Sequence, residues 1–207
     1  MRWPSPPGAG AHGGRIAAIG GVIGPAVFVA AWSILGARTA GYSPDDDAIS
    51  RLAATGASTQ AAMTAGFVVY GTGLSLFGSA LRTTLPGPAW ALAAATGLAT
   101  LGVAATPLDT AAGDALHGVF AALGYATLAA VPLAAAGPLA AQGRRRWARW
   151  SVVTGVASAA CLAATVLGPR HGLFQRAGLT IADSWVIAAA VDMLLRSGAE
   201  GSGTSPE

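Results

Sequence analysis

Apolar residues fall into six long runs, separated by short stretches rich in Pro, Gly, Asp and Arg. The runs cover residues 16–36, 60–81, 89–106, 115–137, 149–168 and 177–195. Each approaches the roughly 20 residues that an α-helix needs to cross hydrocarbon at about 1.5 Å per residue. The shortest, 89–106, would span with little tilt. Isolated strands would leave backbone groups unpaired in lipid, and the two-residue alternation of barrel strands is missing. The pattern therefore predicts an all-α, polytopic bundle of six transmembrane helices over residues 15–196. The first run is longer than a signal-peptide core, and the Leu35–Arg38 stretch lacks small residues in a cleavage arrangement, so it reads as a retained span. Pro- and Gly-rich residues 1–14 read as a disordered lead, and residues 197–207 as a disordered tail.

Composition agrees. The chain is 53% hydrophobic and 10% charged over 207 residues, against roughly a quarter charged in a soluble domain. So few charges would not cover a water-soluble fold of this size, whereas lipid is solvent enough for such a surface. A multi-pass protein of the cell membrane is expected, with the bilayer as its main partner. The net charge of +3 does not point to nucleic acid. Its one dense basic run, Arg144, Arg145, Arg146 and Arg149, lies between two spans and reads as a topology signal.

All 12 basic residues are Arg. With the N-terminus inside, the inner segments hold Arg2, Arg15, Arg82, Arg144, Arg145, Arg146, Arg149 and Arg196. The outer segments hold Arg38, Arg51, Arg170 and Arg176. Eight against four favours both termini in the cytoplasm. Trp90, Trp147 and Trp150 fall near span ends, where interfacial Trp is common. Gly20 and Gly24 in the first span, and Gly66, Gly71, Gly73 and Gly78 in the second, permit close helix approach. Pro25 and Pro132 lie inside spans and are able to kink them.

The chemistry gathers at the three outer connections. Asp45, Asp46 and Asp47 form a run in the first, but three consecutive side chains do not converge on one cation, and a solvated loop or a helix cap explains them. Asp109, Asp114 and His117 follow the third span. Asp114 and His117 are three apart and share a helix face. Arg170, His171 and Arg176 precede the sixth span, which carries Asp183 about two turns in. An ionised carboxylate at that depth is costly in lipid, so Asp183 should face the bundle and find a partner, with Arg176, Arg170 or His171 nearest by topology. Asp192 and Arg196, four apart, read as a structural ion pair. Cys161 is the only cysteine, which excludes an intramolecular disulfide and a cysteine metal cluster. P-loop, HExxH and Gly-x-Ser-x-Gly patterns are missing, and only His117 among the histidines lies in a span, which disfavours bis-His haem. No metal and no cofactor are expected.

The short pieces Ser50-Arg51-Leu52-Ala53, Pro107-Leu108-Asp109, His117 with Ala121, Gly172-Leu173-Phe174-Gln175-Arg176, and Trp185, in this order and spacing, resemble the domain-of-unknown-function 998 group of bacterial membrane proteins. The resemblance covers roughly residues 18–195. It implies a six-helix membrane bundle and no defined activity.

Three functions compete on these residues. One is binding of a small polar or lipid-headgroup ligand at the outer cluster, with Arg51, Arg170, His171, Arg176 and Asp183 around it and a guanidinium meeting an anionic group. Another is an intramembrane enzyme on a lipidic or isoprenoid substrate, with Asp109 or Asp114 as acid and His117 as its partner. The third is a structural or assembly subunit in which the polar cluster only joins helices.

Overall fold

A computed structural model describes residues 9–109 and 111–202, with side chains over 14–109 and 113–197. Its helices are α1 (Ala9–Arg38), a short 3-10 helix (Ile49–Ala53), α2 (Gln60–Thr84), α3 (Ala89–Ala105), α4 (Ala111–Ala141), α5 (Arg145–Leu167) and α6 (His171–Ser202). The described residues contain no strand. Five of the six long helices have the length and hydropathy to cross a membrane; α3, at 17 residues, is shorter. It rises roughly 26 Å, a little under the roughly 30 Å of a hydrocarbon core. Helix α1 starts at Ala9 and α6 ends at Ser202, so residues 9–14 and 197–202, expected to be irregular, continue their neighbouring helices. Residues 1–8 and 203–207 lie outside the described residues.

Each helix packs against the next, and α6 returns to α1, so the bundle closes as a ring in chain order. Neighbours run antiparallel. Gly20 and Gly24 of α1 meet Gly73 of α2, while Ala31 meets Gly66. Ser158 of α5 donates to the Gly178 carbonyl, and Trp185 of α6 donates to Ser151. One end of the ring, the loop face, carries the connections after α1, α3 and α5. The other, the terminal face, carries the turns at 85–88 and 142–144, the start of α1 and the end of α6.

The outside of the ring is apolar: Leu98, Val153, Val166 and Leu167 are largely exposed. Inside, Phe28, Phe67 and Tyr70 stack with ring centroids 5.5 and 4.7 Å apart, next to Phe77, Leu74 and Trp185. Some buried hydroxyls are satisfied within their own helices, as Thr96 is by the Leu92 carbonyl and Ser151 by that of Trp147. The backbone polar groups and most hydroxyls thus need no water, as the interior of a bilayer requires.

A very close seam joins α1 and α2. A Cβ on Gly73 would stand 2.6 Å from the Gly20 carbonyl oxygen and 2.9 Å from the Gly24 Cα. These obstacles are backbone, so the helices themselves would have to separate. Gly71 and Gly78 do the same work against α3. We expect Gly73→Ala to lower stability by about 1–3 kcal/mol, read as a fall in melting temperature in detergent. Gly118→Ala, where a Cβ meets nothing within 4 Å, should leave the melting temperature unchanged or slightly raised by its better helix propensity.

Candidate functional site

The α1–α2 connection folds back over the loop face. Asp47 and Asp46 are spent locally: Ser43 N donates to Asp47 Oδ2 at 2.8 Å, and the Ser43 hydroxyl donates to Asp46 Oδ2 at 2.9 Å. The run of aspartates shapes a turn. The 3-10 helix that follows drives Ile49 and Leu52 into the bundle, each 1% exposed.

Arg176 holds this connection down. Its Nη1 donates to the carbonyls of Pro44 at 2.6 Å, Asp47 at 2.9 Å and Gly172 at 2.9 Å, and its Nη2 donates to the Tyr42 hydroxyl. The guanidinium also lies over the rings of Trp32 and Tyr42, at 5.4 and 5.5 Å. Burial pushes the Tyr42 hydroxyl above its ordinary pKa, against the opposing charge of Arg176. The hydroxyl therefore stays protonated and donates to the Ala48 carbonyl at 3.2 Å. Gly172 lets the loop carbonyls approach, since a Cβ there would stand 2.5 Å from the Asp47 carbonyl oxygen.

This arrangement corrects one expectation. Arg176 is not the partner of Asp183: its Nη1 and Nη2 bond to backbone carbonyls and the Tyr42 hydroxyl, and its buried Nε has no partner among the described residues. Asp183 does face the interior, at 1% exposure. Its Oδ1 accepts from the Tyr70 hydroxyl of α2 at 2.7 Å, rather than from α4 or a loop. Its Oδ2 has no hydrogen-bond partner among the described residues.

The remaining charged candidates separate as well. Arg51 pairs with Asp109 at 2.9 Å, both about half exposed. The Asp109 amide donates to Asp114 Oδ1 at 2.8 Å, which fixes the start of α4. Asp114, in the first turn of that helix, also complements its dipole. Thr55 reaches the Leu108 carbonyl through both its amide and its hydroxyl, at 3.2 and 2.9 Å. His117 is bound to the Thr106 carbonyl through Nδ1 at 2.7 Å; a carbonyl only accepts, so Nδ1 carries the proton. Asp114 and His117, expected as an acid–base pair, thus bond to different partners although they share a helix face. Arg170 and His171 are exposed at the start of α6. Arg170 sits in the left-handed region with φ 60°.

Beneath the 3-10 helix lies a chamber of about 210 Å³, reached by all six long helices. Phe28, Phe67, Val103, Phe120, Leu128 and Leu179 give it an apolar wall. Tyr70, Thr96, Thr100, His117, Tyr125 and Gln175 interrupt that wall with hydrogen-bonding groups. Gln175 joins roof to wall: its Oε1 accepts from the Ile49 amide at 2.9 Å, and its Nε2 donates to the Tyr125 hydroxyl. The Thr96 and Thr127 hydroxyls lie 2.9 Å apart and close the α3–α4 seam. Of the candidate site residues weighed from sequence only His117 lines this chamber, joined by Ser50, Ala121 and Gln175 from the family-like pieces. Tyr70 and Tyr125 carry no charge and gave no sequence signal. Gln175 alone offered a signal, as a buried-side polar residue one position before Arg176.

Arg176→Ala should release the 39–48 loop, leaving three carbonyls and the Tyr42 hydroxyl without their donor. A loss of about 3 kcal/mol is expected, with new protease cutting in that loop. Arg51→Ala and Asp109→Ala, tested in a double-mutant cycle, should couple by less than about 1 kcal/mol because the pair is half exposed.

The sequence profile of a family described as a protein of unknown function, DUF998, matches residues 22–192. No curated protein and no solved structure matches the chain. The matched span runs from within α1 into α6 and takes in part or all of each of the six long helices, the roof and the chamber. Its five membrane-span-like helices suit a multi-pass membrane protein, and the chain belongs to the DUF998 family.

Proposed function

We propose that the protein binds a small, mostly apolar molecule with a neutral hydrogen-bonding head in the chamber under the 3-10 helix. The observation that carries this reading is the composition of the wall. Its polar groups are hydroxyls, one amide and one imidazole, and no Asp, Glu or Arg lines it. An ion brought into such a wall would lose its hydration without a counter-charge. A hydroxyl or carbonyl head would find donors and acceptors at Tyr70, Thr100, His117 and Gln175. An engineered apolar cavity of about 150 Å³ takes up benzene, so about 210 Å³ suits a head group and its first carbons. Lipidic alcohols, isoprenoid alcohols and quinone-like carbonyl compounds are the matching classes. The outer arginines have no role in this reading: Arg51 and Arg176 are engaged within the protein.

We further propose that the loop face points away from the cytoplasm, with both termini inside. The asymmetry of eight Arg against four supports it. Reporter fusions after Arg146 should give a cytoplasmic signal, and fusions within 39–48 an external one. The reverse pattern would refute the orientation.

The binding reading is tested with a diazirine-bearing farnesol analogue in proteoliposomes. Labelling is expected on peptides from α3, α4 and the start of α6. Ala121→Phe, which fills the chamber from its wall, should remove most of that labelling while the melting temperature holds. Labelling confined to outward residues such as Val153 and Leu98, and indifferent to Ala121→Phe, would sink the proposal.

A further inference from the structure

A second cavity, of about 250 Å³, opens at the terminal face between the ends of α2, α4 and α6 and the start of α5. Its depth is apolar, formed by Leu81, Leu139 and Trp185, and its mouth is charged. There Arg144 Nη2 and Arg196 Nε both bond to one oxygen of Asp192, Oδ2, at 2.9 and 3.0 Å. Two guanidiniums thus share one carboxylate. Asp192 is the single acid among the side chains described at this face, and among them the mouth sets two guanidiniums against one carboxylate. A guanidinium has five N–H donors; for each arginine the pairing with Asp192 uses one of them. Arg144 is held in place on its other side by the Trp147 ring, 4.8 Å below it. Its side chain is only 19% exposed, so its charge acts in a partly desolvated setting where it is weakly screened.

We propose that this cavity binds a phosphate group, presented by the headgroup of an anionic phospholipid or as the free ion. The pre-placed pair Arg144 and Arg196 would receive the phosphate oxygens in charge-assisted hydrogen bonds. Asp192 keeps both guanidiniums aimed at the mouth. Position favours the lipid. The cavity lies at helix ends, where Trp147 packs edge-on to Trp150 and Arg82 stacks on Trp90 at 5.0 Å, as side chains do at a bilayer interface. The apolar depth takes the first carbons of an acyl chain. The site is separate from the chamber and does not rest on the reading given for it.

The test uses the full chain, purified into micelles holding phosphatidylglycerol and phosphatidylcholine in equal amounts, with bound lipid counted by native mass spectrometry. The wild type is expected to retain phosphatidylglycerol over phosphatidylcholine. Arg196→Gln, which leaves the Arg144–Asp192 pair intact, should cut that preference about fivefold, equivalent to ~1 kcal/mol. Arg196→Lys should keep part of it, and Arg146→Gln, an exposed arginine outside the cavity, should keep all of it. In a parallel arm, inorganic phosphate is added to micelles of phosphatidylcholine alone and thermal unfolding is followed. Stabilisation by phosphate in the wild type but not in Arg196→Gln assigns the site to the free ion, and preference for phosphatidylglycerol without that effect assigns it to the lipid. Equal retention of the two lipids with no effect of phosphate overturns the proposal. So does an equal loss in Arg196→Gln and Arg146→Gln, which would mean diffuse surface attraction.

Discussion

In hydrocarbon the helices gain nothing by hiding apolar surface from one another, since lipid tails are as apolar as leucine; association depends on how closely backbones approach and on the polar groups that meet between them. The ring is organised by that constraint. Glycines at 20, 24 and 73 bring α1 and α2 together until carbonyl and Cα nearly touch. Hydroxyls of Thr96 and Ser158, and the Trp185 indole, join the α3–α4 and α5–α6 seams. Bulky Ile, Val and Leu are then left to the outside, where they meet lipid. The chamber is a consequence of the same geometry, since tight seams around a six-membered ring leave its axis to be filled by side chains, and near the loop face they fill it incompletely.

What fills the top of that axis is a loop, and a loop carries backbone carbonyls that helices would otherwise hide. Arg176 resolves this by bringing one delocalised cation under three carbonyls and a hydroxyl. The two terminal nitrogens of this guanidinium find neutral acceptors between the Trp32 and Tyr42 rings, while its buried Nε has no partner among the described residues. Asp183 pairs with the Tyr70 hydroxyl instead.

The six helices were legible because a run of about 20 apolar residues is a one-dimensional signal. Helix ends were less so: α1 and α6 continue into Gly-rich sequence whose composition argues against helix. The spacing of Asp114 and His117 gave their common face correctly and their partners wrongly, because the Thr106 carbonyl and the Asp109 amide come from the preceding turn and spacing within a helix does not report them. Arg176 and Asp183 are seven residues apart, so they share a face but differ in height by roughly 10 Å. Side chains pair only at matched height, and height depends on what the neighbouring helix supplies. The chamber was invisible for a related reason. Its polar groups are neutral, spread over α2, α3, α4 and α6, and individually ordinary.

The Gln175 amide has one end in the roof and the other on the chamber wall, bonded to the Ile49 amide and the Tyr125 hydroxyl. A side chain so placed is a lever with two loads. Any molecule that rests against Tyr125 and changes its hydrogen bond also changes how firmly the 3-10 helix is held. By reciprocity, any force that lifts the 3-10 helix alters the affinity of the chamber by the same factor. If the chamber holds the molecule proposed for it, its occupancy would be felt at the 3-10 helix through this one side chain.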